Sequence, residues 1–306
     1  MLERYRKAGE QASDMVDHTA VRGRSLMRDA RDRFLRNKAA IACMFVLGAI
    51  VLFVVFGPLF AVWDNETIDW ANMGITGVPS TETGHYFGTD DLGRDLYSRT
   101  IQATGTSLLV GLIGAGMALV IGIAWGVIAG YFGGWLDNLM MRIVDILLAV
   151  PTVLVLILIL VVAGRSFTTL FIALGAVSWL TMSRIVRAQT LALKGREFIE
   201  AARASGVSET MIIIRHILPN LLGVVIVYAS LLVPDMILAE SFVSFLGLGI
   251  SEPYTSLGSL ISEGAGTMAY GTLWQLAFPL TFYVTIIITM FFIGDGLRDA
   301  LDPKDR

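Results

Sequence analysis

The chain has 306 residues, of which 55% are hydrophobic and 16% charged, with a formal net charge of -3. Soluble domains carry about 25% charged residues, so the composition points to a lipid environment, and the charge excludes a broadly basic nucleic-acid binder. The single cysteine, Cys43, lies in an apolar run and excludes an intrachain disulfide.

In chain order, residues 1–38 form a highly charged tail, too long for the positive region of a cleavable signal. The apolar run 39–62 that follows is expected to stay as a membrane anchor, since a crossing helix needs about 20 mainly apolar residues. Residues 63–105 read as an outer loop. Its stretch "HYFGTDDLGRDLYSRTIQATG" predicts a turn and a short helix with Thr89 as N-cap and Asp90 and Asp91 in the first turn. "DDLGRD" lacks the alternating ligand spacing of a calcium loop, so capping is favoured over metal. Runs 106–130, 166–183 and 272–294 predict further spans. Another apolar core, 146–163, is expected to begin near Asn138 and to include Arg142 and Asp145 as an i,i+3 ion pair. Run 221–249 carries Asp235 and Glu240, with a kink expected at Pro234.

Gly122, Gly126 and Gly130 recur every four residues and are expected to pack within the chain. His85 and His216 read as hydrogen-bonded loop or interface residues, because no second ligand stands at metal spacing. Ionisable residues inside a membrane are functional suspects, so Asp235 and Glu240 are candidates for a translocation pathway, or for pairing with a partner. Lysine and arginine are concentrated in 1–38, 184–219 and 297–306, with ten, six and three, against two in 64–104 and none in 250–271. Six spans with both termini in the cytoplasm satisfy this distribution.

The stretch "GREFIEAARASGVSETMIIIRHILPN", residues 195–220, is therefore a cytoplasmic island. Gly206 is expected to end a first helix and Ser208 to cap a second through His216, with Pro219 starting the next span. By pattern alone an interfacial hairpin fits as well as a docking element.

"EAARASG", nine residues and "HILP" resemble the EAA loop of permease subunits of ABC importers, with His216 where the general pattern has isoleucine. "GRSLMRDARDRFLRNKAA", "GHYFGTDDLGRDL", "VYASLLVPDMILAESFVSFLGLG" and "FIGDGLRDALDPKDR" extend the likeness to the C-type permease subunits of oligopeptide importers. The resemblance implies an all-α type I importer permease fold, with one helix added to a five-helix core at 106–297 and an EAA loop at 189–220. Residues 298–306 would be a cytoplasmic tail.

It further implies a multi-pass bacterial inner-membrane protein that pairs with a homologous B-type permease, two ATPase subunits and an extracytoplasmic peptide-binding protein. Glu200, Ala201, Ala202, Gly206, His216 and Pro219 would couple to an ATPase. The chain has no GxxxxGK[ST] sequence, so ATP and magnesium are expected on the partners and no covalent chemistry here. A dipeptide, nickel or other small-ligand importer of the same family is the alternative. A stand-alone secondary transporter is disfavoured, because no related halves are visible.

Overall fold

The computed structural model describes residues 26–301, and every regular element within them is helical. The first 25 residues of the N-terminal tail and residues 302–306 lie outside the described residues. Helix α1 (Leu26–Phe34) precedes α2 (Lys38–Phe56), which Asn37 caps by accepting from the Ala40 amide at 3.1 Å. A 3₁₀ turn, Gly57–Phe60, carries Pro58 and closes the first span. Helix α2 is apolar all round and little of it is buried, as expected for a helix surrounded by lipid or another membrane chain.

Helix α3 (Leu96–Phe132) begins ten residues before the apolar run that predicted it. Its cap is Asp95, whose carboxylate accepts from the Ser98 amide at 2.8 Å; Thr89 does not cap it. Thr89 instead pairs with Asp95 in an isolated β-bridge. The expected short outer helix is thus the first turns of a 37-residue span. Arg99, Thr100 and Thr104 made those turns look like loop, and all three are buried by tertiary contacts.

The third apolar segment is the largest departure from expectation. It is two helices, α4 (Gly134–Leu148) and α5 (Thr152–Ala163), bent by 81° at Pro151. Proline has no N–H and pushes its predecessor out of the helical region, so one straight helix cannot continue through it. Neither piece alone spans a bilayer, yet the packing of α3 against α6 (Phe167–Lys194) shows that together they return the chain across it. Along α3, Gly114 packs beside Leu174 of α6 as well as Met236, Gly122 lies nearest Met182 of α6, and Gly130 nearest its Arg187 and Thr190. The two helices therefore run parallel, and 134–163 must lead back from one face to the other.

Helix α6 continues past Ser183 because its arginines are paired. Arg184 meets Asp145 at 2.5 Å, and Arg187 holds Asp137 through two bonds of 2.5 and 2.6 Å. Asp145 therefore pairs with Arg184 across helices instead of with Arg142 along its own.

A two-turn helix α7 (Glu197–Ala204) is followed by α8 (Glu209–Ile212), a π turn at Ile213–Ile217 and α9 (Leu218–Phe245). The last three form one continuous 37-residue helix, so Pro219 does not start a separate span. The π turn widens the backbone just before Pro219, which lets a residue without an N–H sit inside the helix. Pro234 also lies inside α9.

Helix α10 (Leu257–Thr267), in the stretch between the last two apolar runs, folds back between α9 and α11 (Leu273–Leu301). Glycines permit that approach: a Cβ on Gly258 would stand 2.5 Å from Ser241 Cα, and one on Gly264 2.6 Å from the Gln275 backbone.

Gly296 of α11 packs on Ala40 and Phe34, while Phe282 stacks on Phe53. Tyr97 at the start of α3 reaches the Gly57 carbonyl. One face of the bundle thus holds both described ends and residues 195–218, and the opposite face holds 61–95, 164–166 and 246–272.

Candidate functional site

On the first face, α7 lies across the bundle and returns through a turn at Gly206, whose φ is +80°. Only glycine adopts that conformation at no steric cost. Ser208 caps the returning helix by accepting from the Met211 amide at 3.4 Å, as its position predicts. The island is anchored by Ile199, Ile212 and Ile217, each with no exposed surface, packed on Tyr131 and Val186 with Ala202 at the edge.

A polar clasp closes the turn. Arg203 donates from Nε to Glu209 Oε1 at 3.0 Å and from Nη2 to Oε2 at 3.2 Å. The Tyr131 hydroxyl, at the end of α3, donates to the same Glu209 carboxylate, and Lys194 stands 5.6 Å over the Tyr131 ring. The hydrogen bond to Glu209, then that to Tyr131, holds the Arg203 guanidinium above its ordinary range. The clasp ties both arms of the island to the span ends, so it moves with them. None of Arg203, Tyr131 and Lys194 is among the residues that the sequence pattern singles out. The Arg203–Glu209 spacing across Gly206 was the visible signal, whereas nothing local marks Tyr131.

Glu200, Ala201, Gly206 and Pro219 are all exposed on this face, with Ala202 and His216 half-buried. The His216 ring sits 6.4 Å from that of Phe198, which is itself exposed. The structure brings Glu200, Ala201, Ala202 and Gly206 together as one accessible edge. Pro219 lies beyond them on the continuing helix.

Asp235 and Glu240 have different environments. Asp235 is exposed on α9. Glu240 has no exposed surface and is enclosed by hydroxyls, accepting from Ser244 at 2.5 Å, Ser241 at 3.2 Å and Ser107 at 3.5 Å. Ser107 in turn receives the Leu257 amide at 3.2 Å, which joins α3, α9 and the start of α10. In this conformation the Glu240 carboxylate is closed off from solvent. Glu240→Ala removes the common acceptor of three buried hydroxyls, each costing about 1–3 kcal/mol when left unsatisfied. The variant is expected to melt several degrees lower in detergent, with Glu240→Gln in between. Wild-type melting of Glu240→Ala would show that the cage contributes nothing to stability.

On the opposite face, His85 is buried between Asp95 at 2.8 Å and Asp69 at 3.3 Å and stacked on Trp63. This is the hydrogen-bonded loop role its isolation suggested. Burial pushes the Asp95 carboxyl up, opposed by its bonds from His85 and Ser98. Asp69 is held below the usual carboxylate range by the Asn72 side chain and the Ala71 amide. Asp90, expected in a helix turn, is instead an anchor for Arg94 at 2.7 Å and for Arg99.

Residues 122–306 match the family described as binding-protein-dependent transport system inner membrane component. Residues 25–75 match the N-terminal TM domain of oligopeptide transport permease C. The chain is 50% identical over 301 residues to the oligopeptide transport system permease protein OppC of Escherichia coli K12, covering 98% of this chain and 99% of that one. It is 49% identical over 297 residues to the protein of the same name from Haemophilus influenzae, covering 97% and 94%. The dipeptide transport system permease protein DppC of Bacillus subtilis is 40% identical over 92% of this chain and 87% of its own. Among solved structures, the inward-facing MetNI methionine ABC transporter superposes with a TM-score of 0.54 at 18% identity, over 66% of this chain and 95% of that one. That likeness supports the type I importer fold alone. Taken with an island of EAA pattern held at one face of a six-span bundle, these matches make the chain a member of the binding-protein-dependent transport permeases, in the branch that carries the oligopeptide-permease-C N-terminal domain.

Proposed function

We propose that the chain is the C-type permease of an ATP-driven oligopeptide importer and couples to a cytoplasmic ATPase through the island at 195–218. The observation that carries the reading is a rigid, exposed helix edge at the span ends: Glu200 and Ala201 are open to a partner while Ile199 beneath them is fully buried. Small residues let a partner approach closely, and Glu200 supplies a charge that fixes register. Closure of an ATPase dimer would then push α7, and the clasp at Arg203, Glu209 and Tyr131 would carry the motion into α3 and α9 as a rigid body.

A homologous B-type permease supplies the other half of the path, two ATPase subunits hold ATP and magnesium, and an extracytoplasmic binding protein delivers peptide. This chain contributes the path and the coupling and performs no covalent chemistry. An oligopeptide substrate is favoured because residues 25–75 match the N-terminal domain of oligopeptide transport permease C and the relatives at 49–50% identity are oligopeptide transport permeases.

The concentration of basic residues on the island face supports a topology with the island and both termini in the cytoplasm. Cysteines at Ser205 and Thr81, both exposed, in a Cys43→Ser background are expected to label from opposite sides of intact cells. A membrane-impermeant reagent added outside should reach Thr81→Cys only; labelling of both would overturn the topology. Transport itself is tested by uptake of labelled tri- to pentapeptides into vesicles holding the full complex, with and without ATP. ATP-independent accumulation would overturn the reading.

A further inference from the structure

A cavity of about 380 Å³ opens on the outer face, between the turn that joins α5 to α6, the end of α9 and the start of α10. Its wall includes Arg99, Arg165, Glu252, Tyr254, Thr255 and Glu263, a more polar set than a lipid-facing crevice would hold. Thr255 is 3% exposed, and its hydroxyl has no hydrogen-bond partner among the described residues. A buried hydroxyl is ordinarily paired, and leaving one unpaired costs about 1–3 kcal/mol. Thr255 therefore marks a place for a polar group from outside the chain.

The charges are separated along the wall. On one side, Glu263 holds Arg99 at 2.8 Å and Glu252 holds Arg94 at 2.7 Å. Asp90, behind the wall with Arg94, is shared by both arginines, so the cluster backing this side sets two cations against three carboxylates, a net of -1. On the other side, exposed Arg165 donates to the neutral carbonyl of Gly247 at 2.7 Å and has no carboxylate within ion-pair distance among the described residues. A guanidinium has five N–H donors and suits a planar carboxylate.

We infer that this outer pocket receives the carboxylate end of the substrate peptide, with Arg165 holding the terminal carboxylate and the Thr255 hydroxyl bonding the main chain. The acidic wall orients the preceding residues and the amino end toward Glu252 and Glu263. The volume lies within the range of small-ligand pockets and suits a short stretch of extended chain. Lying on the face opposite the coupling island, the pocket is a first contact for peptide before the path opens. This inference rests on the peptide-import reading.

The test uses the complete reconstituted complex and a radiolabelled tripeptide with a photoreactive residue, prepared with a free and with an amidated C terminus. Irradiation is expected to label the segment 247–263 with the free-carboxylate peptide. Labelling should fall about three- to tenfold for the amidated peptide, and likewise in Arg165→Gln. Arg165→Lys should recover most of it, and Thr255→Val should lower it severalfold. Arg165→Glu should reverse the preference, so that the amidated peptide labels better. Arg165 is exposed in a turn, so these variants are expected to assemble normally.

Equal labelling by the two peptides, or unchanged labelling in Arg165→Gln, overturns the assignment. So does an unlabelled pocket in a complex that takes up the same peptide under ATP, including one whose pocket is occupied by a protein loop. Absence of ATP-driven uptake by the wild-type complex would instead overturn the transport reading itself.

Discussion

Gly126→Ala is expected to cut recovery of the assembled subunit by about fivefold or more, while Gly116→Ala on the same helix leaves it unchanged. A Cβ at Gly126 would stand 2.5 Å from the Ser183 carbonyl oxygen and 2.9 Å from the Arg187 amide nitrogen. Those are backbone atoms of α6, which cannot rotate away as a side chain can, so the helices must separate. Over-packing of this kind costs about 1–3 kcal/mol, and 1.4 kcal/mol is a factor of ten.

The separation would also weaken the ion pairs of Arg187 with Asp137 and Arg184 with Asp145, which depend on the same register. Gly116 has no atom within 4 Å of its Cβ position, so it reports the effect of alanine on the helix without a clash. The measurement is the yield of folded subunit co-purified with its partner permease after mild extraction. Equal recovery of the two variants would mean that α3 and α6 do not pack through these glycines.

Glu200→Lys and Gly206→Val are expected to leave membrane insertion and permease pairing intact but to remove peptide-stimulated ATP hydrolysis. Glu200 is exposed in the first turn of α7, and its side chain bonds to no other residue among the described residues. Its reversal should therefore act on a partner more than on the fold. Losing a charged contact and gaining repulsion removes about 1.5–3 kcal/mol, a reduction in docking of tenfold or more.

Gly206 has open space around its Cβ position, so a side chain there meets no neighbour. The penalty comes from its φ of +80°, which costs an L-residue about 1–2 kcal/mol and a β-branched one more. Gly206→Asn, which tolerates that region, should therefore keep much of the activity that Gly206→Val loses. If Glu200→Lys transports peptide normally at wild-type abundance and still co-purifies with the ATPases, the island has no coupling role. It then reverts to a hairpin that joins two span ends.

The candidate site was legible to different depths. "EAARASG" marks a helix and a glycine break, because helix propensity and the need for a positive φ are both local properties. Both are found, at Glu197–Ala204 and Gly206. Tyr131 was not legible, because it comes from the end of a span 64 residues before Gly195 and joins the island only through packing. Arg142 and Asp145 looked like an ion pair because they are three apart on one helix. The neighbouring helix offered Arg184 in better geometry, and sequence spacing carries no information about a neighbour.

The sequence alone determined the membrane environment, the location of the apolar spans and the side on which basic residues gather. Each follows from composition over about 20 residues, since a bilayer selects for length and apolarity one segment at a time. The tertiary structure decided what depends on two segments at once. It buried Arg99 against Asp90 and Glu263, and so turned ten residues of an apparent loop into the start of α3. It made the parallel packing of α3 and α6 join two bent helices into one crossing. It also enclosed Glu240 among three serines, two from its own helix and one from α3, which hydropathy could show only as a charge in a membrane.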